Sequence, residues 1–126
     1  MPLKKTFADL TSEARAKVGE VDADELVEEY SDALVIDVRE PDERARGIIP
    51  NAIAIPRGTL ERDIEKVAFG GNVREADLKR PIVCYCGGGS RSLLAARTLH
   101  EMGFVNVLSL RGGFGGWSKA GRPVDH

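Results

Sequence analysis

Short apolar, β-branched runs alternate along this chain with longer stretches in which apolar residues recur every three or four positions. Ala33-Leu-Val-Ile-Asp-Val-Arg39, Ile82-Val-Cys-Tyr-Cys86 and Val105-Asn-Val-Leu-Ser-Leu110 are nearly continuous in hydrophobicity. Such runs predict strands covered on both faces, as in a parallel sheet. Ala52-Ile-Ala-Ile55, closed in by Pro50 and Pro56, is a weaker strand, and a brief one is expected near Glu20-Val21. Residues 1–18 read as a helical lead-in, with Phe7, Leu10, Ala14 and Val18 forming one stripe, and with Thr11 or Ser12 as caps at which the helix could restart. Asp22 followed by Glu25 has the capping-box pattern and opens a helix through Tyr30. Leu60, Ile64, Val67 and Ala68 predict a helix from Thr59 to Phe69. Leu93, Leu94, Ala96, Leu99 and Met102 predict another from Ser90 to Met102, with Gly103 where a left-handed C-terminal residue belongs. Strands alternating with helices predict a parallel α/β sheet joined by right-handed crossovers.

Composition narrows the class. The 126 residues are 42% apolar and 30% charged, enough for one buried core and a solvated surface, which excludes a fibre, a disordered tail and a disulfide-dense module. Eighteen basic residues against twenty acidic ones leave a net charge of −2 and no sign of a nucleic-acid face. No apolar run approaches the roughly 18 residues that cross a bilayer. No apolar stretch follows Met1-Pro2-Leu3-Lys4-Lys5, so no signal peptide is visible and a cytoplasmic location is expected. The two cysteines, Cys84 and Cys86, are separated by one residue, a spacing that strains a disulfide. With only the distant His100 and His126 to help, they do not supply a metal ligand set.

In parallel sheets, ligands bind beyond the carboxyl ends of the strands, here Asp37-Val38-Arg39, Tyr85-Cys86 and Arg111-Gly112. Cys86-Gly87-Gly88-Gly89-Ser90-Arg91-Ser92 leaves a buried strand and enters a helix. Three successive glycines let the backbone curl through positive φ, so that N–H groups point inward as an anion-binding nest. The helix N-terminus adds unpaired donors, and Arg91 adds a full positive charge. A thiol at the mouth of such a loop is expected to ionise easily and to act as a nucleophile without a neighbouring histidine. Cys84 shares its face of the strand but lies deeper, as a structural thiol. Asp37 and Arg39 flank the site, either steering anions and holding the loop or forming a strand-end ion pair; Arg57 is expected to add positive potential near the mouth. Trp117 is expected in the core, the paired glycines at 112–113 and 115–116 in tight turns, and His100 on a polar helix face without a role.

Four segments together resemble the rhodanese family of sulfurtransferases in its single-domain form. Leu34-Val-Ile-Asp-Val-Arg-Glu-Pro41 is similar to the first signature strand, and Gly47-Ile-Ile-Pro-Asn-Ala-Ile-Ala-Ile-Pro56 to the Gly-His-Ile-Pro-Gly-Ala segment. Cys86 to Ser92 resembles the loop that begins with the catalytic cysteine, and Arg111-Gly-Gly-Phe-Gly-Gly-Trp117, continuing through Gly121-Arg-Pro-Val124, the C-terminal signature. Ile48 stands where the family often has His, and Asn51 where Gly is common.

The resemblance spans Val21 to Val124. It implies a three-layer α/β/α domain with a five-stranded parallel sheet, assigned to residues 19–126 behind the helical lead-in already read over 1–18. It also implies that Cys86 accepts sulfane sulfur from thiosulfate or a persulfide donor and passes it to cyanide or a thiol. The persulfide would rest against Gly87, Gly88, Gly89, Ser90, Arg91 and Ser92, with Asp37, Arg39 and Arg57 behind. No cofactor or metal is called for. The expected partners are a small anionic sulfur donor, a thiol acceptor and a sulfur-carrier protein, with neither nucleic acid nor membrane. Two alternatives stand beside this: a persulfide carrier that presents sulfur to a protein partner, and a cysteine-dependent phosphatase or arsenate reductase. The latter use a seven-residue Cys-x5-Arg ring, and the turn from Cys86 to Arg91 is one residue shorter.

Overall fold

The computed structural model of the chain describes residues 2–126. Five parallel strands form one sheet in the order β1-β5-β4-β2-β3: β1 Gly19–Val21, β2 Leu34–Asp37, β3 Ile53–Ala54, β4 Ile82–Tyr85 and β5 Val107–Leu110. Central β4 is buried at every position, as its unbroken hydrophobicity requires. Residues alternate between two core layers. Leu34, Ile36, Val38, Ile82, Cys84, Cys86 and Val107 face a layer that contains α1 (Phe7–Lys17) and α4 (Arg91–Met102). Val35, Val83, Tyr85, Leu108 and Leu110 face the layer of α2 (Ala23–Glu29) and α5 (Gly113–Lys119).

The capping box predicted at Asp22 is present, with Asp22 and Glu25 exchanging backbone and side-chain hydrogen bonds. Gly103 ends α4 at φ 118°. A second capping box, Thr6 with Asp9, starts α1, so the helix runs unbroken through Thr11, whose hydroxyl bonds back to the Ala8 carbonyl at 3.0 Å. Of the α1 stripe, Ala14 and Val18 reach the core while Phe7 stays exposed.

Three expectations are corrected. The helix expected over 59–69 is a 3₁₀ turn at Arg57–Thr59, a single turn of α3 at Leu60–Asp63 and a π turn at Ile64–Ala68. The wider π turn ends the helical segment at Phe69, which stacks on Phe104, 5.6 Å between ring centroids, and Val67 is left outside. The strand expected from Val105 begins at Val107, because Val105 faces solvent. The weak strand at 52–55 narrows to two residues at the sheet edge, where flanking prolines are tolerated. Just before it, Asn51 takes φ 70°, which explains why a residue tolerant of the left-handed region occupies this position. Ile48 pairs in an antiparallel bridge with Asp125, tying the C-terminus to this segment.

Candidate active site

Cys86 is the first residue after β4, and the loop it opens is clamped from below by α5. The N–H of Phe114 donates to the Cys86 carbonyl at 2.8 Å, and that of Gly115 to the Gly87 carbonyl at 2.9 Å. So close an approach needs glycine at 113, where φ is 55° and a Cβ would collide with the Cys86 carbonyl oxygen. Within the loop itself the curl is concentrated at one position. Gly89 alone among its three glycines takes positive φ, at 105°, while Gly88 has open space around it.

That curl aims the Gly89 N–H at the sulfur, 3.1 Å away, and the Ser92 hydroxyl approaches it at 3.4 Å. Burial is the strongest single influence on the thiol and pushes its pKa up. The Ser92 hydroxyl and the N–H groups of Ser92, Gly89 and Gly88 together outweigh burial, so the group ionises more readily than an ordinary thiol. Cys84, two residues back, has burial without those donors, and its pKa is pushed up to about 12.

Arg91 does not stand free at the far side of the ring. Its guanidinium forms a two-pronged pair with Glu43, both bonds 2.8 Å, and holds that carboxylate near a pKa of about 2, with the Glu40 N–H helping. Glu43 and Arg91 are both partly solvent-exposed. Glu43, Arg39, Asp42, Arg46, Gly87, Phe114 and Gly115 border a hollow of about 380 Å³ at the mouth of the loop.

Asp37 and Arg39 lie on the opposite face of the sheet from the sulfur. Arg39 is 3% exposed, and its Nε and Nη2 engage Asp37 at 2.8–3.2 Å. The remaining donors reach the carbonyls of Glu43 at 3.1 Å and Gly47 at 2.8 Å, and the guanidinium stacks 4.2 Å above the Phe114 ring. Tyr85 donates to Asp37 at 2.7 Å and accepts from the Ile49 N–H at 3.1 Å. The pair therefore braces the turn that carries Glu43, which in turn holds Arg91. Arg57 donates to Glu61 and to Thr98 on α4, its backbone N–H donates to the Val38 carbonyl, and its charge acts on the Cys84 thiol. Trp117 is buried and donates its indole N–H to the Pro123 carbonyl. No group of three or more His, Cys, Asp or Glu among the described residues is arranged to hold a metal ion.

The sequence reading missed Glu43 and Ser109. Glu43 and Arg91 are 48 positions apart, with no local pattern to pair them. Ser109 did leave a trace: it is a polar residue at a core-facing register of a buried strand.

Comparison with known proteins gives this geometry a family. The model of the Rhodanese-like domain matches residues 22–120. A sulfurtransferase of Allochromatium vinosum is 33% identical over 110 residues, covering 85% of this chain and 94% of that one. The thiosulfate sulfurtransferase GlpE of Coxiella burnetii is 35% identical over 108 residues, covering 86% and 91%. A solved structure from Rhodopseudomonas palustris, described as a protein of unknown function and possible tyrosine phosphatase, superposes with a TM-score of 0.81 at 30% identity, covering 99% and 98%. The chain belongs to the rhodanese family. Within that family its relatives place it among the single-domain sulfurtransferases.

Proposed function

We propose that the protein carries sulfane sulfur on Cys86, taking it from thiosulfate or a persulfide donor and handing it to cyanide or a thiol. The observation that carries this reading is the buried sulfur with hydrogen-bond donors on it and, among the described residues, no acidic or basic side chain hydrogen-bonded to it. The Cys86 thiolate attacks the outer sulfur of thiosulfate. A new S–S bond forms, the old one breaks, and sulfite departs with the bonding pair, needing no proton. The persulfide's negative charge then lies on its outer sulfur, with the amides of the loop and Arg91 nearby. A nucleophilic acceptor attacks that outer sulfur, and the Cys86 thiolate leaves and is regenerated. Thiocyanate forms from cyanide, and a new persulfide from a thiol. Gly87, Gly88, Gly89, Ser90 and Ser92 shape the cradle, and Glu43 and Arg39 keep Arg91 in place. The partners this chemistry asks for are a small anionic donor and a thiol acceptor, free or on a carrier protein.

Phosphoryl or arsenate chemistry fits less well. The turn is a residue shorter than the ring that wraps a tetrahedral oxyanion, and Arg91 is already engaged by Glu43. Treating the purified protein with thiosulfate and weighing it intact tests the proposal. A gain of one sulfur atom, absent in Cys86→Ser, is expected; no gain, or Cys86-dependent turnover of an aryl phosphate, contradicts it. Rapid cyanide consumption marks an enzyme, and stable sulfur loading with slow consumption marks a carrier.

A further inference from the structure

A chain of hydroxyls lies behind the thiol, and part of it comes from outside the loop. Ser109 of β5 is fully buried and stands in register with Cys84, which places it on the cysteine face of the sheet. Its Oγ is 2.7 Å from the Ser92 Oγ, itself 3.4 Å from the Cys86 sulfur. Ser109 also reaches the Gly89 carbonyl, as donor, at 3.4 Å, and the N–H of that same glycine donates to the sulfur. A serine turned into an apolar layer is costly unless its hydroxyl is paired, and both hydrogen-bond partners of this hydroxyl belong to residues that touch the Cys86 sulfur.

We propose that Ser109 is a positioning residue for Cys86, acting through Ser92; this rests on the reading of Cys86 as the reactive thiolate. A serine in the first turn of a helix has a competing option, which is to bond back to the carbonyl three or four residues earlier. For Ser92 those carbonyls belong to Gly89 and Gly88, and either bond would draw its proton off the sulfur. The 2.7 Å contact holds the Ser92 oxygen in place and removes that option.

The chain also allows the hydroxyls to follow the charge. Two hydroxyl protons have three acceptors available: the sulfur, the partner hydroxyl and the Gly89 carbonyl. With Cys86 ionised, Ser92 donates to the sulfur and Ser109 donates to Ser92. With Cys86 capped by a second sulfur, the charge sits on the outer atom; Ser92 then donates to Ser109, and Ser109 to the Gly89 carbonyl. No hydroxyl is left without an acceptor in either state. Chains of this kind polarise one another, so the donor that meets the thiolate is stronger for having Ser109 behind it.

The test is the pH dependence of iodoacetamide alkylation, measured in a Cys84→Ala background so that one thiol reports. Ser109→Ala is expected to move the midpoint upward by about half a pH unit, the scale of one modest hydrogen bond. Ser92→Ala is expected to move it further, and the double variant no further than Ser92→Ala alone. An unmoved midpoint in Ser109→Ala, or two shifts that simply add, overturns the role given to Ser109 and leaves the proposed sulfur chemistry standing. An ordinary thiol midpoint already present without either serine substitution overturns both. Because Ser109→Ala removes one oxygen atom, a shared melting temperature shows that the shift is local.

Discussion

The two faces of β4 meet at its carboxyl end and carry opposite kinds of chemistry. On one, Cys84 and Cys86 point into the same apolar layer, yet only the second meets a row of hydrogen-bond donors. On the other, Tyr85 closes a fully paired network with Asp37 and Arg39. The first face sets the Gly89 N–H and the Ser92 hydroxyl against the Cys86 sulfur. The second compensates every charge and fixes the backbone around it. Burial alone pushes a thiol's pKa up, as at Cys84, whereas burial together with oriented donors brings it down at Cys86, and the ionic network braces the neighbouring turn that carries Glu43.

The largest expected effect separates the cysteines outright. Cys86→Ser should lower sulfur transfer by on the order of 10³-fold or more, since the bond-forming atom is gone, while Cys84→Ala should leave transfer nearly unchanged; thiocyanate formation from thiosulfate and cyanide reads both. Equal losses would erase the contrast. On the opposite face, Arg39→Leu should destabilise the fold by about 3–5 kcal/mol, because Asp37 is left buried without its counter-ion. Urea unfolding checks this, and a loss near zero would show that the network is ornamental. Gly89→Ala comes next. A side chain at φ 105° is strained, and turning the peptide to relieve it withdraws the N–H from the sulfur; a roughly tenfold fall in transfer is expected. Gly88→Ala is the matched control, with room for its methyl group.

The smallest effects concern the mouth of the loop and the deeper cysteine. Glu43 has a folded-state pKa depressed to about 2, so its contribution to stability is present above the ordinary carboxylate range and is lost as pH falls toward 2. Both partners are partly in water, so Glu43→Gln should lower stability only modestly near neutrality. It should also flatten the loss of stability between about pH 5 and 2, as followed by thermal melting. Cys84→Ala should lower stability by about 1 kcal/mol, the common scale for a core truncation.

Most of the sheet was legible because a strand buried on both faces must be apolar throughout, and Ile82 to Tyr85 and Leu34 to Asp37 are nearly so. The capping residues Asp22 and Glu25 were legible for a local reason: their hydrogen bonds span three positions. The segment from Thr59 to Phe69 misled because apolar spacing does not distinguish α, 3₁₀ and π turns. The Cys86 loop could be read as an anion cradle from glycines and a following helix, but not how its curl divides. Only the folded chain shows that Gly89 carries it. Contacts closed across the sheet left little mark in the sequence. Glu43 and Arg91 are joined by tertiary structure alone, and the serine at 109 was visible only as an oddity in an apolar run.

The claim beneath all of this is that backbone amides and a serine hydroxyl keep the Cys86 sulfur ionised inside the fold. Thiolate ultraviolet absorbance, titrated against pH in Cys84→Ala, measures that property directly. A transition centred clearly below the ordinary thiol value of about 8.5 is predicted, and it should vanish in the Cys84→Ala, Cys86→Ser double variant. A transition at or above that value would contradict the account.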